Sequence, residues 1–207
     1  MLGKPNSRIP QLTNTRFMNN SIFLDSSILI EHYKGSKTDL LEALVSDARE
    51  PLSVISTIFD NVGIPDDINT EENLYVPIKF HLFICQIVVS EYLFQCLITD
   101  SGGKPSPLTL KRNGKIPDLI RNDDHADFLT QFDCLLDDSA IFSLAPQLME
   151  RYNLLPNDAI ILGLCKFHEI KTIASFDRTD FVQFCQDEGI VLISSVADFE
   201  AYKSALS

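Results

Sequence analysis

The chain has 207 residues, a hydrophobic share of 45%, a mean hydropathy of +0.06 and a formal net charge of −12. That length supports one domain with a substantial core, or a domain carrying a sizeable insertion, and the hydropathy is that of a soluble globular protein. The negative balance excludes a chain that coats nucleic acid or anionic membrane by bulk charge, so any nucleic-acid contact must run through a local basic patch or bound metal.

Residues 1–20, with Pro5, Pro10 and repeated Asn, read as an irregular arm. They hold Lys4, Arg8 and Arg16 but no apolar core of a secretory signal, so a cytoplasmic setting is expected. Ser21 to Leu24 (SIFL) predicts a strand that runs straight into Asp25, Ser26 and Ser27 and then the amphipathic ILIEHYKG. Ser26 or Ser27 is the expected N-cap and Gly35 the expected stop. Asp25 is thereby pinned at a strand-to-helix junction, where it can be a site acid or merely a capping one. Thr38 to Ala48 continues as helix, with Leu40, Leu41, Leu44 and Val45 on one face.

Residues 51–79 include an acidic Pro/Asn-rich portion, best read as a surface insertion whose acids face water. Phe80 to Cys85 (FHLFIC) predicts a second buried strand and Ile87 to Ile98 the helix after it. Glu91 lies on that helix among Val88, Val89, Tyr92 and Leu93, and a carboxylate buried there needs a partner or a cation. The run Leu82 to Ile98 is broken by Gln86, Ser90, Glu91 and Gln95, too polar for a bilayer span.

Ser101 to Asp118 reads as a Gly/Pro-rich loop and carries Lys104, Lys111, Arg112 and Lys115, the only basic concentration in the chain and a candidate contact for substrate phosphates. Asp123 to Leu136 predicts a helix, with Phe128, Leu129, Phe132, Leu135 and Leu136 on its apolar face. Ala140 to Leu144 predicts a short strand, and Ala145 to Tyr152 a helix. His125 and His168 lack a second histidine at ligand spacing and read as packing or surface residues. The five cysteines, Cys85, Cys96, Cys134, Cys165 and Cys185, form no CxxC pair and fit buried, reduced thiols.

The chain is organised around Leu154 to Phe181. Pro156 opens a helix with Asp158 in its first turn, where unpaired N–H groups and the helix dipole favour negative charge. Gly163 within that helix points to a close contact with the sheet. A strand ends near Ala174, and a turn follows with Asp177 and Asp180. Phe181 to Glu188 predicts a short helix and Ile190 to Ile193 a final strand. Such alternation implies a parallel sheet with helices on both faces. Asp25 and Asp177 then follow strands that can end at one rim, where open α/β sheets place ligands. Carboxylates converging there repel one another, and a divalent cation is the natural solution. An all-oxygen donor set favours Mg²⁺ or Mn²⁺ over Zn²⁺, and phosphodiester hydrolysis is the reaction such a site most readily supports.

The order Asp25, Glu91, Asp158, Asp177, in the settings IFLDSSILIEHYKG, FICQIVVSEYLF, LLPNDAIILGLCKFHEI and TIASFDRTDF, resembles a PIN-domain ribonuclease of the toxin–antitoxin type. The resemblance implies a three-layer α/β/α fold on a central, mostly parallel sheet of four to five strands. Residues 21–207 would be a single PIN-like domain with insertions around 51–79 and 99–125. It implies a Mg²⁺/Mn²⁺-dependent ribonuclease, often dimeric, inhibited in the toxin branch by a small antitoxin. Asp25, Glu91 and Asp158 would ligate metal or orient its water, with Asp177 completing the cluster and Ser26 and Ser175 supporting it. Asp180 competes with Asp177 for the fourth place.

Two other classes compete. A non-catalytic PIN-like binding module would tolerate loss of the acids, yet all four are in place. A phosphatase with Asp25 as nucleophile generally wants an acid two residues on, where Ser27 stands. No GxGxxG or GxxxxGK[ST] occurs to cradle a nucleotide.

Overall fold

A computed structural model describes residues 20–49, 79–103, 106–121 and 124–206. The expected arm at 1–20 and the insertion around 51–79 lie almost wholly outside these, as do Lys104 and Asp123. Five strands, β1 (Ser21–Leu24), β2 (His81–Cys85), β3 (Asp133–Leu135), β4 (Thr172–Ala174) and β5 (Val191–Ile193), form one sheet in the order β3-β2-β1-β4-β5. Every pairing is parallel. The expected α/β class with a parallel sheet is what the chain adopts.

Hydrophobicity orders the strands. Ile22, Phe23 and Leu24 of β1 are wholly buried, and so are Ile173 and Ala174 of β4. Strands covered on both faces read as continuous apolar runs, so these two take the centre, and the short β3 and β5 take the edges. The chain passes from β1 outward to β2 and β3, then crosses back to β4. The order therefore reverses between β1 and β4, which opens a crevice beyond their C-terminal ends.

Helix α1 (Ser26–Tyr33) follows β1 directly, and α2 (Thr38–Ser46) buries Leu40, Leu41 and Leu44 as the sequence predicts. The cap of α1 is Asp25 and not a serine, its carboxylate accepting from Ser27 N–H. Gly35 stops the helix at φ 68°, a left-handed conformation that glycine adopts without strain. Ala48 and Phe80 meet in an isolated parallel bridge, so the chain leaves and re-enters the described structure at one place.

Helix α3 (Gln86–Asp100) matches its prediction. The expected loop after it instead holds two short helices, α4 (Pro107–Arg112) and α5 (Ile116–Ile120). Ser106 caps α4 through its hydroxyl and Pro107 takes the first helical position, a start signal hidden in a Gly/Pro-rich stretch. The helix expected over Asp123 to Leu136 is only α6 (His125–Leu129) before the chain turns into β3. Leu136, assigned to its apolar face, is 71% exposed. The strand expected at Ala140 to Leu144 is the start of α7 (Ile141–Tyr152), which continues through Pro146. In a segment this short, apolar runs do not separate strand from helix. Among the cysteines Cys134 is exposed and the other four are buried, all with free thiols.

Helix α8 (Pro156–Phe167) packs against α7, and α9 (Arg178–Glu188) leads to β5. A last helix, α10 (Val196–Leu206), was not foreseen; it buries Phe199 against Phe80 at 5.4 Å and ties Lys203 to Asp47 at 2.8 Å. Gly163 faces α7 and not the sheet. A Cβ there would sit 3.6 Å from Ile141 Cδ1 and from Leu144 Cδ2, ordinary van der Waals separations. Gly163→Ala is therefore expected to stabilise the fold by about 0.5–1 kcal/mol, through helix propensity and reduced unfolded-chain entropy. A lower denaturation midpoint in the variant would show that the α7–α8 packing cannot accept the methyl.

Candidate active site

The crevice at the switch point is a cleft of about 670 Å³. Asp25, Glu91, Asp158, Asp177 and Asp180 all line it, carried there by the β1–α1 junction, α3, α8 and α9. Ser26 and Ser27 line it as well, with Glu31 from α1, Lys34 at that helix's C-cap and Asn157 from α8. Lys111, Arg112 and Lys115 do not: they are exposed on and between α4 and α5, outside the cleft lining.

Local folding explains why so much negative charge collects here. Asp25 is the N-cap of α1 and Asp177 stands at the N-cap position of α9. Asp158 and Asp180 lie in the first turns of α8 and α9. Three helix N-termini thus face the cleft, and their dipoles and unpaired N–H groups partly offset the carboxylates. Asp177 and Asp180, read as part of a turn, in fact begin a helix.

Asp25 is the best anchored of the acids, only 5% exposed. Its Oδ2 accepts from Ser27 Oγ at 2.6 Å, Ser175 Oγ at 2.9 Å and Ser27 N at 3.2 Å. Burial raises its carboxyl above the usual range, and these hydrogen bonds pull in the opposite direction. The Ser27 hydroxyl also accepts from Phe176 N at 3.0 Å, and Ser175 Oγ from Asp177 N at 2.9 Å. Both Ser175 and Ser27, the latter presented by the sequence only as a cap candidate, hydrogen-bond Asp25 through their hydroxyls, and Ser26 lines the cleft beside them.

Asp158 carries the electrostatic signature of the site. Burial, followed by the charges of Asp25, Asp180, Glu91 and Asp177 in falling order, pushes its carboxyl up to about 6. Asp177 is raised too, by burial and by Asp180. Glu91 is partly buried and accepts from the Asn157 amide at 2.6 Å. Asn157, next to Asp158 in the first turn of α8, is a site residue that the sequence gave no reason to single out.

The donor chemistry suits a hard divalent cation, since all five ligand candidates are carboxylates and the helix N-termini offset their mutual repulsion only in part. Among the described residues, however, no three His, Cys, Asp or Glu side chains are already drawn together to hold an ion. No helix among the described residues is long and apolar enough to cross a membrane.

The family model for the PIN domain matches residues 53–187, a span that starts after β1 and leaves Asp25 outside it. The chain is 32% identical over 108 residues to ribonuclease VapC2 of Methanocaldococcus jannaschii, covering 50% of this chain and 71% of that protein. It is 39% identical over 51 residues to ribonuclease VapC6 of the same organism, covering 23% of this chain and 33% of that protein. Among solved structures, FitAcB from Neisseria gonorrhoeae is similar at 15% identity and a TM-score of 0.36, covering 84% of this chain and 96% of that one. With more than half of its length matched by the family model, the chain belongs to the PIN domain family.

Proposed function

We infer that the chain is an endoribonuclease that hydrolyses RNA phosphodiester bonds with Mg²⁺ or Mn²⁺ held by the carboxylates of the cleft. The observation that carries this reading is the convergence of five acids from separate elements on one cleft, with Asp158 pushed up to about 6 partly by its neighbours' charge. The relatives named as ribonucleases support RNA as the substrate.

Asp25, Glu91 and Asp158 are the proposed ligands. Asp177 and Asp180 both line the cleft and both bear on Asp158, so either can supply the fourth carboxylate. When bound, the divalent cation neutralises phosphodiester oxygens and makes a water acidic enough to attack at neutral pH. Ser27 and Ser175 fix the Asp25 carboxylate so that it need not reorient. Asn157 donates its side-chain amide to the Glu91 carboxylate and so holds it at the cleft. Asp158 is ionised at neutral pH but at a cost, and gains most from a cation beside it.

Resemblance to the toxin branch extends the proposal to a toxin restrained by a small antitoxin protein, with growth arrest on expression as its test. Incubating the purified protein with RNA in Mn²⁺ or Mg²⁺ tests the nuclease itself: cleavage is expected, and chelation with EDTA is expected to stop it. Cleavage that continues in EDTA would overturn the proposal. A non-catalytic binding module predicts no cleavage and no Mn²⁺ heat in calorimetry.

A further inference from the structure

A second cavity, of about 320 Å³, shares no lining residue with the acidic cleft. His32 and Tyr33 of α1, Tyr92 of α3, and His125 and Phe128 of α6 line it, together with Asp124 just before α6. All but one of these side chains are rings, and they are set close together at unequal angles. Tyr33 and Tyr92 meet edge-on, with 5.8 Å between centroids and 83° between planes. His125 lies 5.6 Å from each of them. Phe128 lies 5.4 Å from Tyr92 and stacks on His32 at 5.7 Å.

The charge around these rings has one sign. Asp124 is exposed and makes no capping hydrogen bond to α6, so its carboxylate is not consumed by the helix it precedes. The Tyr33 hydroxyl donates to Asp100 Oδ1 at 2.6 Å, and a phenol polarised by a carboxylate leaves its ring richer in electrons. Among the described residues no Lys or Arg lines the cavity. A phosphorylated or carboxylated ligand is repelled by Asp124. A flat neutral ring gains most from parallel faces, whereas steeply inclined rings beside a carboxylate suit a rounded cation, which is attracted to electron-rich faces from several directions. The volume is at the low end for ligand pockets, enough for a small head group.

We propose that this cavity binds a small organic cation with an alkylated ammonium head, of about the size of choline, through cation–π attraction to its rings and the charge of Asp124. The site is independent of the nuclease reading.

The test titrates choline into the full chain at about pH 8, above the ordinary imidazole range, followed by calorimetry and by amide shifts in NMR. The comparison ligand is its uncharged isostere, in which carbon replaces the ammonium nitrogen. Choline is expected to bind about five- to tenfold tighter than the isostere, with shifts centred on Tyr33, Tyr92 and Asp124. Asp124→Asn is expected to weaken choline about threefold and to leave the isostere unchanged. Tyr33→Leu is expected to remove the preference for the charged ligand, with its amide spectrum reporting whether it folds; if it does not fold, Asp124→Asn decides alone. No choline binding, equal binding of the two ligands, or choline bound as tightly by Asp124→Asn as by wild type would overturn the site. Shifts centred on Asp25, Asp158 and Asp177 would overturn it too, because the cation would then lie in the acidic cleft.

Discussion

Asp158→Asn is expected to lower RNA cleavage by about 10³-fold or more and, in the same protein, to raise the melting temperature at neutral pH without divalent cations. The first effect follows if the carboxylate holds a cation that contributes several kcal/mol of charge stabilisation to the reaction. The second follows from the sign of the pKa shift. A carboxyl raised from 3.8 to about 6 binds its proton more tightly in the folded state than in the unfolded one. Ionising it therefore costs stability, progressively between about pH 4 and pH 6, and the loss is complete above that window. The shift alone corresponds to about 3 kcal/mol, and solvent screening in a half-open cleft reduces that to on the order of 1 kcal/mol. The neutral amide escapes this cost. Adding Mn²⁺ should reverse the order of melting temperatures, because wild type gains a bound cation and the variant does not. If growth arrest accompanies expression, Asp158→Asn should abolish it. Full cleavage by the variant, or a lower melting temperature without metal, would remove Asp158 from the proposed ligand set.

Asp25→Ala is expected to behave differently, losing activity and also about 2–4 kcal/mol of stability. The loss combines an N-cap worth about 1 kcal/mol with buried donors on Ser27 and Ser175 left without their acceptor, at about 1–3 kcal/mol. Urea denaturation reads it as a lower midpoint at unchanged slope. The contrast tests the geometry directly: two acids in one cleft, one built into the fold and one strained against its neighbours. A variant at position 25 as stable as wild type would mean that the Ser27–Ser175 network does not hold the chain.

The elements that sequence patterning located best are those with strong periodicity or complete burial. SIFL, FHLFIC and the helix opened by Pro156 fell where expected, because a central parallel strand leaves no doubt in its apolar run and a Pro at a first helical turn is a local signal. The region between Ser101 and Leu144 misled, since its short elements are decided by packing against α3 and β2 more than by pattern. Of the site, the four acids from separate motifs were legible as residues beside strand ends and helix starts. Ser27 and Asn157 were not, because a serine's role depends on which of two adjacent hydroxyls faces inward, and an asparagine's on a partner 66 positions away.

The Ser27 hydroxyl joins Asp25, at the end of β1, to Phe176, just past β4, across 149 positions of sequence. Nothing local can assemble that connection, since it exists only once β4 has docked beside β1 and the whole β2 to α8 crossover is in place. On a ribosome, the stretch bearing Ser175 to Asp180 emerges after β1, α1, α3 and the start of α8, so a nascent chain holds no complete cleft until that stretch is out. Under the proposed nuclease reading, the chain has no assembled site with which to cut RNA before those residues have docked.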